Sequence, residues 1–462
     1  MAFSRKVMLL AMGLFTLLSM AHVWMARGLL SVAYATLIPS TRSTSEELPL
    51  FVMSTFVDGR TYGEGVHILT SHDARAWRPL DGDPNVYPQG RAGTVVRDPS
   101  IIWHEGYFHI VYTTELCAGL ETMSFSCDWK HKDLLSTPAR FGYARSRDLV
   151  HWFDTRFIEV PLDGACNVWA PEWHKLTPSE VAERDGDALM VVFSSTVPPS
   201  SNTMDCPPDF GPNAGANLHR PYFMTTSDFE RYSSPKLLFD MGESIIDTFL
   251  FRSGDQTYAI YKSEQNRCRM WGWSALLGER QDLDPSTSCT LALRLAVARS
   301  AFGPYTASPV RQTPIWNQVI SRQCAEGPSV LQLSDESSAY TLVLYDGYRP
   351  DCPLWIDQAP PCPTMPGNVL DQKETASNSR CSYRGKFAYG AIATRNLLDW
   401  TDVSEEITGL ERGGSPTNRH KHGTAIRLEL DSLCSICEEA EQTNTQGLWR
   451  GSGVLEHCHA CR

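Results

Sequence analysis

Five stretches of the chain each open on a polar residue and run straight into an apolar strand and a turn: Asp98 in RDPSIIWHEG, Glu172 in WAPEWHK, Asp247 in SIIDTFLFRSGD, Glu326 in AEGPSVLQLSDE and His422 in KHGTAIRLEL. These heads lie 74, 75, 79 and 96 residues apart. A period of that size marks copies of one supersecondary unit, and four acids and a histidine at matching points are expected to meet. A second strand with aromatic or branched alternation follows in YFHIVYTT, ALMVVFSST, TYAIYKSE and AYTLVLYDGY, the period-2 pattern of a half-buried strand. A third strand follows in each unit. Four of these end in a Ser/Thr-x-Asp/Asn turn and an aromatic, at Asp73 with Trp77, Asp148 with Trp152, Asp228 with Tyr232 and Asn396 with Trp400. The copy at Ser300 instead uses Phe302-Gly303-Pro304-Tyr305. Asp and Ser in such turns accept from local backbone donors, so these residues are read as structural.

The strand that begins at His422 has no partner after it, while LFVMSTFV and GVHILTSHD near the N-terminus have no first strand before them. Joining the two ends completes a fifth unit. An all-β, five-bladed β-propeller over 48–431, its ring closed by N- and C-terminal strands, satisfies this arrangement and leaves only short, protected sheet edges. A β-sandwich or two separate β-domains would not require the ends to join. In a propeller the innermost strands line a central channel, so the five heads would share one mouth. Pro99 is tolerable there because the first position of a strand need not donate to the ladder.

The segment 1–35 reads as targeting sequence: Arg5 and Lys6 precede an apolar run from Val7 to Trp24, with small-residue sites at Ala26 and at Ala33-Tyr34-Ala35. A cleaved signal is expected, with an uncleaved membrane anchor as the alternative. Either way the remainder is exported, and the fourteen cysteines are then read as disulfides. Cys117 with Cys127 and Cys268 with Cys289 are local candidates. In the tail 432–462, Cys434-x-x-Cys437 and Cys458-x-x-Cys461 have zinc-ribbon spacing, but export favours two disulfides there. The 41 basic and 53 acidic residues give a formal charge of -12, which argues against a nucleic-acid partner.

Asp98, Asp247 and Glu326 are the heads expected to carry chemistry. Inverting hydrolysis of a glycosidic bond needs one carboxylate to activate water and one carboxylic acid to protonate the leaving oxygen, roughly 6.5 to 9.5 Å apart, and acids from different blades can meet that spacing across a channel. A third carboxylate close to the acid would raise its pKa by like-charge repulsion. An Asp before Pro is also a common turn former, and Glu326 before Gly-Pro could be a solvated turn acid. Asp247, set between apolar residues, must be paired, hydrogen-bonded or functional. Trp169 and Glu172 are candidate pocket residues, an aromatic face for a sugar ring and an acceptor for its hydroxyls. Blade packing is the other role open to Trp169.

The ordered motifs Arg97-Asp98-Pro99-Ser100, Asn167-Val168-Trp169-Ala170-Pro171-Glu172, Ile245-Ile246-Asp247, Glu326-Gly327-Pro328-Ser329-Val330, Tyr345-Asp346-Gly347-Tyr348 and Arg419-His420-Lys421-His422-Gly423-Thr424 resemble those of glycoside hydrolase family 43, the five-bladed propeller family of arabinofuranosidases, arabinanases, xylosidases and some galactosidases. The resemblance spans about 48 to 431. It implies that Asp98 is the general base, Glu326 the general acid and Asp247 the residue that tunes the acid and orients substrate. By the same resemblance His422 lies near the channel axis, close to a possible structural calcium, and it is read as a hydrogen-bonded substrate-pocket residue in preference to a direct metal ligand. The chain departs from the family at Thr248, where many members have proline, at His420-Lys421, and in a Pro- and Cys-rich insertion from Cys352 to Cys381.

The expected activity is inverting release of terminal pentofuranosyl units, α-L-arabinofuranosyl by resemblance, from cell-wall polysaccharide. β-Xylosidase or β-galactofuranosidase activity is the alternative on the same scaffold, and a non-catalytic glycan-binding propeller is the alternative outside the enzyme class. No cofactor is expected to be required, the partner is an oligo- or polysaccharide, and the protein is expected to be a secreted monomer.

Overall fold

Each repeat folds as one antiparallel sheet whose first strand faces the centre, because the period-2 sequence places alternate side chains on the two faces and both faces are buried by neighbouring sheets. The computed structural model describes residues 50–57, 65–80, 96–114, 139–184, 186–197, 219–264, 292–308, 319–323, 325–335, 338–347, 389–410, 420–449, 454 and 458–461. The N-terminal segment 1–35, the candidate cysteine pairs 117/127 and 268/289, and the insertion 352–381 lie outside those residues. Among the described residues no helix is long and apolar enough to cross a membrane.

In chain order, β1 (Phe51–Val57), β2 (Val66–Ser71) and β3 (Arg78–Pro79) come first. A four-stranded sheet follows from β4 (Arg97–His104), β5 (Tyr107–Thr113), β6 (Arg140–Ser146) and β7 (Trp152–Glu159). The next contains β8 (Trp169–Lys175), β9 (Leu189–Thr196), β10 (His219–Thr226) and β11 (Lys236–Leu237), with the short helix α1 (Pro178–Ala182) between β8 and β9. The third is β12 (Ile245–Ser253), β13 (Gln256–Ser263), β14 (Ala292–Ala298) and β15 (Thr306–Ala307), with β16 (Val319–Gln323) paired beside β14. The fourth is β17 (Ala325–Ser334), β18 (Ala339–Gly347), β19 (Tyr389–Thr394) and β20 (Thr401–Asp402). The last strand, β21 (His420–Arg427), pairs antiparallel with β1 and completes the sheet β21-β1-β2-β3. The fifth blade is therefore built from both ends of the chain, as the unpartnered strands required.

Five hydrophobic clusters, each shared by two adjacent blades, establish the ring. Phe141, Tyr143, Val191 and Phe193 pack the first complete blade on the second, Met190, Phe223, Leu250 and Tyr261 the second on the third, and Ile260, Leu293, Val343 and Ile392 the third on the fourth. Leu342, Leu344, Met53 and Leu69 join the fourth blade to the closing one, and Val52, Ile68, Ile101 and Phe108 return to the first. The chain is a five-bladed β-propeller. Ring closure leaves little room at β21: a Cβ on Gly423 would lie 1.8 Å from the Ser54 carbonyl oxygen on β1. Gly423→Ala is thus expected to lower stability by at least about 1–3 kcal/mol, the usual cost of overpacking a tight site; a thermal midpoint equal to wild type would show that β1 and β21 do not close this tightly.

The third-strand turns behave as their composition predicts. Asp73 Oδ1 accepts from the backbone of Arg75 and Ala76, Asp148 Oδ1 from Val150 and His151, Asp228 Oδ1 from Glu230 and Arg231, and Asn396 Oδ1 from Leu398 and Asp399.

The tail is not an appendage. It begins as helix α2 (Leu430–Thr443) directly after β21, and Leu433, Ile436, Ala440, Trp449 and Val454 enter the cluster between the closing blade and the first complete blade. Trp103 Nε1 donates to Asp431 Oδ2 at 3.2 Å, tying β4 to the helix. The tail cysteines pair crosswise, Cys434 with Cys461 and Cys437 with Cys458. All four thiols are consumed in disulfides, which removes the zinc-ribbon alternative.

Candidate active site

Every inner strand carries a bulge at the same height, where two residues oppose one on the second strand. The ladder shifts between Arg97 and Ser100, Trp169 and Glu172, Ile246 and Phe249, and Glu326 and Ser329, and in β21 around His422. One residue of each bulge takes a left-handed backbone: Asp98 (φ 50), Ala170 (φ 45), Asp247 (φ 53), Gly327 (φ 54) and His422 (φ 26). Bulges of this kind re-aim side chains and recur beside functional sites.

The bulge corrects the sequence equivalence. Asp98, Asp247 and His422 occupy the matching position, but in the second blade that position is Ala170 and in the fourth it is Gly327. Glu326 stands one residue earlier, in a ring with Arg97, Trp169, Ile246 and Lys421. Glu172 stands two residues later, in a ring with Ser100, Phe249, Ser329 and Thr424. The heads are not five copies of one position but members of three successive rings along the inner strands.

His422 binds this arrangement together. Its Nδ1 lies 3.2 Å from Asp98 Oδ1 and 3.9 Å from Asp247 Oδ2. Asp98 Oδ2 accepts from Thr113 Oγ1 at 2.8 Å, and the same hydroxyl oxygen accepts from the Ala170 N–H of the next blade at 2.8 Å. Asp247 Oδ2 accepts from the Gly327 N–H at 3.1 Å, which sets Glu326 beside it. Gly327 is required twice, by its positive φ and by closeness: a Cβ there would meet the His422 ring at 2.5 Å. Asp98, Asp247 and Glu326, remote along the chain, are thus drawn into one cluster.

Burial alone would lower the His422 pKa, but Asp247 and Asp98 push it up to about 10, so it is an imidazolium at neutral pH. Burial would raise Asp98, yet His422, Arg97 and the Thr113 hydroxyl hold its carboxyl at about 2. Asp247 goes the other way. Burial, together with the negative charges of Glu326 and Asp98, lifts it to about 6 against the pull of His422 and Lys262.

Glu326 departs from expectation. Desolvation would raise it, but Lys262 Nζ lies 2.8 Å from its Oε2, and Lys421 and His422 add positive charge, so the carboxyl is held at about 2. Like-charge repulsion, expected to keep Glu326 protonated, falls on Asp247 instead. Lys262 comes from β13 of the preceding blade and is also 2.5 Å from Glu264 Oε1. Lys421 comes from β21 of the following blade and lies 3.8 Å from Asp346 Oδ2 on β18, directly across the ladder from Glu326.

Glu172 is only 3 % exposed, with the Thr424 hydroxyl 3.0 and 2.9 Å from its two oxygens. Burial drives it up to about 8, so it is a neutral acid spanning from the second blade to the fifth. Trp169 is half-buried, its ring 4.9 Å from that of His219 and tilted by 38°. Among the described residues no group of three or more His, Cys, Asp or Glu is arranged to hold a metal ion. Lys262 and Thr113 escaped sequence reasoning. A lysine directly after the apolar run Ala259-Ile260-Tyr261 was the available signal.

Chemically, the cluster offers an ionised carboxylate (Asp98) fixed by Thr113 and His422, a second carboxyl (Glu326) gripped by ammonium groups, and a third, Asp247, titrating near neutrality. No curated protein matches the chain. Among solved structures, the Bacteroides ovatus protein named Xyloglucan PUL GH43B is 13 % identical, covering 65 % of this chain and 47 % of its own, with a TM-score of 0.37. A xylan beta-1,4-xylosidase from Bacillus halodurans is 12 % identical over 67 % of this chain and 48 % of its own (TM-score 0.37), and an alpha-L-arabinofuranosidase from Lactobacillus brevis is 12 % identical over 67 % and 72 % (TM-score 0.34). The chain spans about half the length of the first two. A family model described as "Probable glycosyl hydrolase domain" matches residues 46–350, a span holding Asp98, Asp247 and Glu326, and the chain belongs to this family of glycosyl hydrolase domains related to glycoside hydrolase family 43.

Proposed function

We propose that the protein is an exported glycoside hydrolase that removes terminal α-L-arabinofuranosyl units from plant cell-wall polysaccharide with inversion, acting as a monomer and without a required cofactor. The observation that carries the reading is the His422-centred cluster of Asp98, Asp247 and Glu326, because two carboxyl groups of opposite duty and a third to tune and orient them are what this chemistry needs. Asp98, ionised and fixed by Thr113 and His422, takes a proton from water as its oxygen attacks the anomeric carbon. Glu326 gives a proton to the glycosidic oxygen as the carbon–oxygen bond breaks. Asp247 keeps both in register through His422 and the Gly327 N–H. The half-buried Trp169 is assigned the sugar face in this reading.

The choice of pentose is carried by the resemblance of the ordered motifs alone, so the test is direct. The protein is incubated with arabinan, arabinoxylan and a panel of 4-nitrophenyl glycosides, and the first anomer released is followed by proton NMR. Arabinose appearing first with inverted configuration is expected. Retained configuration would overturn the mechanism, xylose or galactofuranose alone would replace the sugar, and binding without release from any substrate would make the propeller a glycan-binding module.

A further inference from the structure

An acid catalyst must hold a proton when substrate arrives, yet the carboxyl assigned to that task is pinned by a buried ammonium. Lys262 Nζ, its side chain 4 % exposed, sits between Glu326 Oε2 at 2.8 Å and Glu264 Oε1 at 2.5 Å. Resting on the proposed function above, we propose that Lys262 is a positioning residue for the acid step, holding Glu326 as carboxylate in the empty pocket and moving to Glu264 when Glu326 takes up its proton.

The proton balance of inversion makes this arrangement meaningful. During turnover Glu326 loses its proton to the leaving oxygen and ends as carboxylate, while Asp98 gains one from water. The Lys262-bound form is therefore the form Glu326 has just after bond cleavage, and one proton must reach it from solvent or from Asp247 before the next cycle, as Asp98 gives one up. Glu264 is the half-exposed partner, its side chain 26 % accessible against 17 % for Glu326, so an ammonium that leaves Glu326 still has a carboxylate at hand and need not be stranded without a counter-charge.

Several elements around Glu326 contribute charges. β13 supplies Lys262, with Glu264 just beyond its end; β12 supplies Asp247; β21 supplies Lys421 and His422; β18 supplies Asp346; and β4 supplies Asp98 through His422. Lys421 Nζ lies 3.8 Å from Asp346 Oδ2, and Lys262 Nζ donates to Glu326 Oε2 at 2.8 Å. Burial raises Glu326 and the lysines more than reverse it, so removing one of them should shift the balance toward the protonated acid.

The test compares Lys262→Met with Lys262→Arg. Loss of protons from the acid sets the alkaline limb of kcat/KM. On an unactivated oligosaccharide, Lys262→Met is expected to move that limb upward by about one pH unit or more, a tenfold change in the protonated fraction at a given alkaline pH. Lys262→Arg, which keeps the charge, should retain the wild-type limb. A limb left in place by Lys262→Met overturns the proposal. The same question is read without turnover by carboxyl carbon-13 NMR of glutamate-labelled protein, with the Glu326 signal assigned through Glu326→Gln. An upward move of its titration in Lys262→Met supports the proposal even if no substrate is cleaved, a case in which the glycosidase reading alone would fail; an unmoved titration overturns it.

Discussion

Asp98→Asn is expected to lose hydrolysis by a factor of about 10³, and to lose it equally on natural polysaccharide and on 4-nitrophenyl glycosides. General-base assistance contributes typically about 10² to 10⁴ in rate, and attack by water needs it whatever the leaving group. Asparagine has nearly the shape of aspartate, and its amide oxygen can still accept from Thr113 Oγ1, which now donates at 2.8 Å. The side chain would stay in place while the ability to receive a proton disappears. The substitution also removes one of the two carboxylates beside His422, so the imidazolium loses part of what holds it near 10, and its titration should fall in an NMR spectrum of the same variant. Steady-state rates on both substrate classes decide the matter: retention of more than a tenth of wild-type activity would remove Asp98 from the base role.

Much of the architecture was legible because it rests on patterns that local physics enforces. Alternating strands, Asp and Asn turn acceptors, and the unpartnered strands at the two ends together required five blades and a closed ring. The height of each head along its strand was not legible. A bulge adds one residue to one strand, and the residue that takes the left-handed backbone can be Asp, Ala, Gly or His. Ala170 carries no side-chain signal for that conformation, so counting from the next acid led to Glu172, two residues too deep. The charge state of Glu326 was hidden for a different reason. It depends on Lys262 and Lys421, which approach from the blades on either side, and sequence spacing says nothing about which side chains cross from blade to blade. In the tail the apolar residues Leu433, Ile436 and Ala440 recur at the i, i+3, i+7 spacing of a helix that buries one face.

Glu326→Gln separates the two halves of the mechanism. Protonation of the leaving oxygen matters in proportion to how poor a leaving group that oxygen makes, so arabinan and arabinoxylan should lose about 10² to 10⁴ in rate. A dinitrophenyl glycoside, whose leaving group departs as a stable anion, should lose less than about tenfold. Substrate binding should persist, since the amide preserves shape. The fold should survive as well, because Lys262 keeps Glu264 at 2.5 Å and Lys421 keeps Asp346 at 3.8 Å, and neither ammonium is left buried without a counter-charge. A second consequence follows from Asp247. The negative charge of Glu326 is among the causes that lift its pKa to about 6, so neutralising Glu326 should let Asp247 titrate lower, and any limb of the dinitrophenyl pH profile that reports Asp247 should move toward acid. An equal loss on both substrate classes would show that Glu326 is not the proton donor, and would turn attention to Asp247, the carboxyl of the cluster lifted to about 6.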